Sequence, residues 1–214
     1  MTEQAPTTTR SRMAGYAVLV VAVLAAIGAG TYLLVGGGDS KSGAPTSLSA
    51  TGATYPNTGV LDPNRPKEGE KAPNFALADA RDTTKVHQLS DYAGKAVVLN
   101  WYASWCGPCA TEIPEFQQAQ DSLRDQVVFL GIDYEEDPGQ ATGILDNLNA
   151  TYPAVLDPSG AVAEHYRVGQ GGGGLPTTFF VDKDGILRGQ VTGRVTPEKL
   201  TENLAKVGVT YKAQ

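Results

Sequence analysis

Apolar residues follow two different patterns along this chain. Residues 14–35 contain no charged side chain over 22 positions, which is long enough to cross a hydrocarbon core of about 30 Å. From residue 75 onward, short apolar runs alternate with mixed segments, a pattern typical of strands and helices in a globular domain. Residues 36–66, between the two regions, are rich in Gly, Ser, Thr, Pro and Asn. They have little to bury and predict a flexible linker.

The apolar segment predicts a single transmembrane anchor. Arg10 and Arg12 precede it, so the positive-inside rule places residues 1–13 in the cytoplasm and the rest of the chain outside. A cleaved signal peptide is the alternative, but its apolar region is usually about 7–15 residues long and ends in a small-residue cleavage site. We therefore expect a cell-membrane protein whose domain, residues 67–214, lies on the extracytoplasmic face.

The later apolar runs predict one α/β domain. Two of these runs are apolar almost throughout, as in strands buried on both faces. The expected strands are residues 75–78, 85–89, 96–102, 127–133, 154–157, 177–182 and 186–192, and the expected helices are residues 106–124, 139–150, 160–167 and 197–207. Pro114 lies inside the first helix and should kink it. Alternating elements that end in a hairpin at Asp184-Gly185 and a last helix indicate a mixed sheet with helices on both faces.

Composition and cysteine count exclude several kinds of protein. The net charge is −6, without a basic cluster, which argues against nucleic-acid binding. Both cysteines of the chain lie in one C-x-x-C motif, so neither a multi-disulfide scaffold nor a four-ligand zinc site fits. Ala110 follows the second cysteine, where a c-type haem site needs histidine. We expect no metal and no cofactor besides a redox-active disulfide.

Cys106 and Cys109, in the run Trp105-Cys106-Gly107-Pro108-Cys109, are the predicted redox pair. Cys106 follows a buried strand and opens a helix, where free N–H groups and the helix dipole stabilise a thiolate. Because the thiolate is the nucleophile in disulfide exchange, we expect Cys106 to attack and Cys109 to resolve the mixed disulfide. Gly107-Pro108 permits the tight turn, and Trp105 supplies an apolar surface beside the sulfur. A purely structural bridge is the alternative, but it would close a very small loop and stabilise little.

The residues around this motif resemble a known family. WCGPC is similar to the thioredoxin superfamily motif, and the runs APNFAL, LSDYAGK, VVLNWYASWCGPC and LPTTFFVDKDG resemble the membrane-anchored TlpA/ResA/CcmG-like subgroup over about residues 70–207. The resemblance implies a thioredoxin fold with an N-terminal β extension, after a single transmembrane helix.

The resemblance also implies roles for individual residues. Pro176 matches a cis-proline that faces the active site, so the backbone at Leu175 would pair with an extended substrate segment. Glu112 matches an acidic residue three positions after the second cysteine, where a carboxylate could take the proton of Cys109. An ordinary exposed helix glutamate is the alternative. Asn100 stands where thioredoxin has a buried aspartate, which makes Glu112 the better candidate for proton transfer.

Three other features suggest no catalytic role. The acidic run at residues 135–137 follows a strand at its carboxyl end and is interpreted as a solvated loop, with a position bordering the site as the alternative. The glycine-rich residues 169–174 are interpreted as a surface loop, with a mobile lip on the substrate groove as the alternative. His87 and His165 have no evident partners.

The expected function is that of an extracytoplasmic thiol–disulfide oxidoreductase. The family implies that it reduces disulfides in exported proteins such as apocytochrome c, with electrons from a transmembrane donor of CcdA/DsbD type. Gly-Pro is the dipeptide of thioredoxin itself, whose reduction potential lies near −270 mV. This resemblance favours the reducing direction. An oxidase or isomerase of exported proteins, and a haem-binding or protein-binding module in cytochrome maturation, remain as alternatives. A peroxiredoxin-type peroxidase is disfavoured, because Ala103 stands where that pattern has threonine.

Overall fold

Strands and helices alternate much as the hydrophobic pattern predicts. The computed structural model describes residues 47–48, 54–55, 58–123, 125–169 and 174–212. The strands are β1 (Ser47–Leu48), β2 (Thr54–Tyr55), β3 (Gly59–Val60), β4 (Phe75–Asp79), β5 (Val86–Gln88), β6 (Ala96–Tyr102), β7 (Val127–Tyr134), β8 (Ala154–Asp157), β9 (Thr177–Val181) and β10 (Leu187–Thr192). The helices are α1 (Gly107–Leu123), α2 (Pro138–Asn147), α3 (Ala161–His165) and α4 (Pro197–Lys206), with a 3-10 helix at Leu89–Tyr92. The boundaries differ from the predicted ones by only a few residues.

The strand that leads to the cysteine pair, β6, lies in the interior of the sheet. It runs parallel to β7 and antiparallel to β9, while β8 runs parallel to β7. Among the described residues the sheet order is β10-β9-β6-β7-β8-β4-β3, with β5 also paired to β4, and β1 pairs separately with β2. The predicted mixed sheet is therefore confirmed.

Alternate residues of β6 pack on opposite faces of the sheet. Val98 and Tyr102 belong to one hydrophobic cluster, which includes apolar residues of α1, α2 and α4. Val97, Leu99 and Trp101 belong to a second cluster, which includes α3 and the 3-10 helix. Because successive side chains of a strand point to opposite faces, β6 is buried along its whole length. Helices on both faces, as predicted, explain this continuous apolar run.

The folded region begins earlier than predicted. The linker was expected to extend to residue 66, but β3 lies within it and pairs with β4 through Gly59↔Ala76 and Val60↔Phe75. The guanidinium of Arg65 also donates hydrogen bonds to main-chain oxygens at the end of α3, at 2.7 and 3.1 Å. The prediction of a flexible linker is therefore wrong for residues 59–66.

The predicted anchor and its flanks lie outside the part of the chain that the structure describes. This holds for residues 1–13 and 14–35, and for the first part of the predicted linker. Among the described helices, none is long and apolar enough to cross a membrane.

Helix α1 is fixed against the sheet by side chains near its middle. It continues without interruption through Pro114, which lies on the exposed side. The Oε1 atom of Gln117 accepts hydrogen bonds from the N–H groups of Thr151 and Tyr152, at 2.7 and 3.2 Å. Gln120 accepts one from the N–H of Phe129 in β7, at 2.8 Å. These bonds hold in place the helix whose first turn carries Cys109.

Candidate active site

The two cysteines lie between the end of strand β6 and the first turn of helix α1. After β6 ends at Tyr102, three residues lead to Cys106, and α1 begins at Gly107. A disulfide joins Cys106 to Cys109, so the structure is that of the oxidised protein. The backbone N–H of Cys109 donates a hydrogen bond to Sγ of Cys106 at 3.3 Å. This contact is the one that the strand-to-helix placement predicts for the attacking sulfur.

Exposure distinguishes the two cysteines. Cys106 retains 4% of its surface, whereas Cys109 retains none. Trp105, Gly107 and Pro108 around Cys106 are exposed, and Trp105 is one of the few large apolar side chains open to solvent among the described residues. A substrate can therefore approach only Cys106, as expected for the attacking residue.

The peptide bond between Leu175 and Pro176 is cis, as the family resemblance implies. Pro176 immediately precedes β9, whose first residue, Thr177, pairs with Trp101 near the end of β6. The antiparallel register thus places Pro176 at the same end of the sheet as the carboxyl end of β6, from which the chain continues to Cys106. Its predicted role in substrate binding stays a prediction. The glycine-rich segment before it lies largely outside the described residues.

Glu112 is buried below the cysteine pair. It has no exposed surface, so the alternative of an exposed surface glutamate is wrong. Its Oε1 atom accepts a hydrogen bond from Nδ2 of Asn100 at 2.7 Å, and its Oε2 atom accepts one from the N–H of Val195 at 2.8 Å. Burial raises the pKa of Glu112 to about 7, although these two hydrogen bonds act in the opposite direction. A carboxyl group with this pKa can both accept and release a proton near neutral pH.

Three residues around Glu112 were not singled out from the sequence. Thr178 accepts a second hydrogen bond from Nδ2 of Asn100, at 3.1 Å, and the two residues are paired in the β6–β9 register. Val195 contributes only its backbone. Tyr152 is buried, and its hydroxyl has no hydrogen-bond partner within the described part of the protein. Strand register was the one signal that could have identified Thr178.

The acidic run after β7 is not a solvated loop throughout, contrary to the prediction. Glu136 retains only 6% of its surface. Its carboxylate accepts hydrogen bonds from both the N–H and the hydroxyl of Ser104, two residues before Cys106. No local sequence pattern indicates this contact, because the two residues lie 32 positions apart.

The two histidines have partners that the sequence did not suggest. His87 contacts the hydroxyl of Tyr92 through Nδ1 at 2.6 Å and the carboxylate of Asp79 through Nε2 at 2.9 Å. His165 contacts the carbonyl oxygen of Asn64 through Nε2 at 2.6 Å. These contacts tie the N-terminal part of the domain together and involve neither cysteine.

Comparison with known sequences gives a consistent result. Residues 69–190 match the AhpC/TSA family model. The chain is 32% identical over 161 residues to the thiol-disulfide oxidoreductase ResA of Geobacillus kaustophilus, covering 75% of this chain and 89% of that protein. It is 27% identical to the thioredoxin-like protein YneN of Bacillus subtilis over 141 residues, covering 64% of this chain and 79% of that protein.

Solved structures agree with the sequence comparison. A Chlorobium tepidum protein assigned as a thiol:disulfide interchange protein DsbE superposes with a TM-score of 0.59 at 32% identity, covering 67% of this chain and 99% of that one. The exposed lipoprotein thioredoxin Etrx1 of Streptococcus pneumoniae gives 0.51 at 28% identity, covering 62% and 98%. The similarity thus covers nearly the whole length of both solved chains.

Proposed function

The chain belongs to the AhpC/TSA family and is a thiol-disulfide oxidoreductase similar to the TlpA/ResA/CcmG-like proteins, and from this premise we propose that it reduces disulfides in exported proteins on the extracytoplasmic face of the membrane. One observation carries the proposal. A cysteine at a helix N-terminus that keeps 4% of its surface is joined to a fully buried cysteine, and a buried carboxyl group with a pKa of about 7 lies one helical turn beyond.

The first step uses the reduced protein. The thiolate of Cys106 attacks one sulfur of the substrate disulfide, so that a new S–S bond forms between enzyme and substrate. The substrate S–S bond breaks, and its other sulfur leaves as a thiolate. The N–H of Cys109, which contacts Sγ of Cys106 in the oxidised form, stabilises the negative charge before the attack.

The second step uses Cys109 and Glu112. The carboxylate of Glu112 takes the proton from the thiol of Cys109, which then attacks Sγ of Cys106. The Cys106–Cys109 disulfide forms, and the substrate departs with its second sulfur reduced. Two electrons have passed from the enzyme dithiol to the substrate, and the enzyme is left in the oxidised form that the structure presents.

The cycle needs a dithiol that reduces the enzyme again. For a domain outside the membrane, we propose a transmembrane donor of CcdA/DsbD type, because disulfides persist in that compartment unless electrons are supplied. Apocytochrome c is the proposed substrate. The relatives named ResA and DsbE support the class of reaction, and the apolar run at residues 14–35 supports the location.

Replacing the resolving cysteine tests the proposal. In Cys109→Ser the mixed disulfide cannot be resolved, so substrates should remain covalently attached to Cys106 and be released by dithiothreitol. The full-length variant would be expressed in a bacterial membrane, and the captured proteins would be identified by mass spectrometry. We expect the captured proteins to be exported proteins with paired cysteines, including apocytochromes c.

The matched control is the double variant Cys106→Ser/Cys109→Ser, which should capture nothing. Suppose instead that Cys109→Ser captures nothing, while a cysteine-free variant still restores cytochrome c to a strain that lacks the protein. The binding-module alternative would then replace the reductase.

A further inference from the structure

Ser104 connects the loop before Cys106 to the carboxylate of Glu136 by hydrogen bonds. This residue is exposed, and only Trp105 separates it from Cys106. Its N–H donates a hydrogen bond to Oε2 of Glu136 at 2.6 Å, and its hydroxyl donates to the other carboxylate oxygen. The loop thus has solvent on one side and a buried carboxylate on the other.

Glu136 is itself fixed from below by Asp133, at the end of β7. The N–H of Glu136 donates a hydrogen bond to Oδ2 of Asp133 at 3.2 Å. Asp133 has no exposed surface and pairs with Tyr102 in the β6–β7 register. The carboxylate that holds the loop is therefore anchored on the strand next to the one that leads into the loop.

Asp133 is the protonated member of this pair of acidic residues. Burial, together with the hydrogen bond and the charge of Glu136, raises the pKa of Asp133 to about 9. Asp133 thus keeps its proton at neutral pH. Glu136 accepts two hydrogen bonds from Ser104.

The same loop forms one wall of a groove beside the cysteine pair. The groove has a volume of about 380 Å³ and is lined by Ser104 and Ala110 on one side and by Ile144 of α2 and Leu148, the residue that follows α2, on the other. A shift of Ser104 would therefore change both the direction of the Cys106 sulfur and the surface next to it.

From these contacts we propose that Glu136 is a positioning residue for thiol–disulfide exchange, which acts by holding Ser104 and thereby the backbone that presents Trp105 and Cys106 to the substrate. Glu136 touches neither sulfur through any contact described above. The proposal concerns exchange at Cys106 in either direction, so it does not depend on whether the protein reduces or oxidises its partners.

Substitutions at position 136 separate positioning from simple stabilisation. Glu136→Ala removes the acceptor, and misplacement of a reacting group by about 1 Å can reduce a rate by 10²-fold. We expect kcat/KM for exchange with a peptide that contains a disulfide bond to fall by about 10- to 100-fold. Glu136→Gln keeps the shape: its amide oxygen can accept from the N–H of Ser104, and its NH₂ group can donate to the hydroxyl oxygen. Most of the lost activity should therefore return in Glu136→Gln.

The assay would use the full chain in detergent, with the unfolding midpoint of each variant measured in parallel. Alkylation of Cys106 by iodoacetamide in the reduced Cys109→Ser background reports the accessibility of that sulfur without a protein substrate. Glu202→Ala, on the exposed side of α4, is the matched control and should behave as the unchanged protein. Wild-type exchange in a folded Glu136→Ala would overturn the proposal, and so would equal impairment of the Ala and Gln variants.

A second pair of variants covers the possibility that Glu136→Ala does not fold. Ser104→Ala removes the hydroxyl contact and should lower kcat/KM several-fold, whereas Ser104→Thr keeps that contact and should retain activity. Equal activity in these two variants would count against the role of Glu136. Neither pair of variants depends on the identity of the captured substrate, so their failure would be distinct from failure of the reductase proposal.

Discussion

Glu112 is the residue in which burial changes the chemistry most. A glutamate in the second turn of a helix is ordinarily exposed and ionised, but this one has no exposed surface and lies against Asn100. The carboxylate is disfavoured because burial removes water from it, and its pKa moves up to about 7. The proton acceptor proposed for Cys109 is therefore half ionised near neutral pH.

The rate of resolution should follow the ionisation of Glu112. The carboxylate is the form that accepts a proton, so the rate of attack by Cys109 should rise as the pH increases through about 7 and then level off. Glu112→Gln should remove this step and slow the reaction by about 10²-fold or more. Stopped-flow release of thionitrobenzoate from a mixed disulfide on Cys106 measures the attack directly.

Glu202→Gln provides the control for loss of one glutamate charge. It lies on the exposed side of α4 and forms an ion pair with Lys206, so its profile should match that of the unchanged protein. If Glu112→Gln keeps both the rate and the inflection near pH 7, another group must accept the proton.

Glu112 and Glu136 show where prediction from the sequence ends. Glu112 was found through the family resemblance, and helix geometry agrees with it, since residue i+3 lies one turn from Cys109. Glu136 was not found, because its partner Ser104 lies 32 residues away and only the register of β6 against β7 brings them together. Burial of a polar residue is set by such long-range contacts, which local patterns do not reveal.

At the scale of a single element, α1 was the most predictable part of the active site. A buried strand followed by Cys-Gly-Pro-Cys marks a strand-to-helix transition, since proline is accepted in the first turn of a helix. The structure begins this helix at Gly107 and ends it at Leu123, against a prediction of residues 106–124. Its attachment to the sheet through Gln117 and Gln120 depends on tertiary contacts and was not predicted.

Pro114 allows a test of how much a proline inside α1 destabilises the protein. Proline in a helix interior removes the hydrogen bond to the carbonyl of residue i−4, here Ala110, and its ring crowds that carbonyl. Because Pro114 is exposed, Pro114→Ala should restore the bond without opening a cavity. We expect the free energy of unfolding to rise by about 2 kcal/mol, after allowance for the freer unfolded chain. Denaturant titration of the oxidised protein measures this change.

Pro197 is the matched control, because it occupies the first position of α4. An N–H at that position needs no partner within the helix, so Pro197→Ala should bring no gain in stability. An equal gain in both variants would show that the effect does not come from the helix hydrogen bond.

For the whole molecule, the order of elements was predictable and the start of the fold was not. Long apolar strands such as β6 and β7 carry a clear pattern, because helices cover both faces of the sheet. β3 has only two residues and is held by pairing with β4. So short a strand has no periodicity of its own, and polar surroundings made it look like part of a linker.

The direction of electron flow is a property of the whole molecule, and stability measurements can establish it. By a thermodynamic cycle, the oxidised and reduced proteins differ in unfolding free energy according to how folding changes the reduction potential of Cys106–Cys109, at about 1.4 kcal/mol per 30 mV. Thioredoxin near −270 mV and DsbA near −120 mV are thus about 7 kcal/mol apart, and in DsbA the reduced form is the stabilised one.

A reductase should favour its own disulfide, so we expect the oxidised protein to be more stable than the reduced protein by on the order of 1–3 kcal/mol at pH 7. Paired denaturant titrations with and without dithiothreitol measure the difference. The double variant Cys106→Ala/Cys109→Ala should unfold at the same denaturant concentration in both conditions, which controls for effects of the reductant itself. A more stable reduced form would instead mean that the protein gains by releasing its disulfide to partners, and the oxidase alternative would then take the place of the reductase.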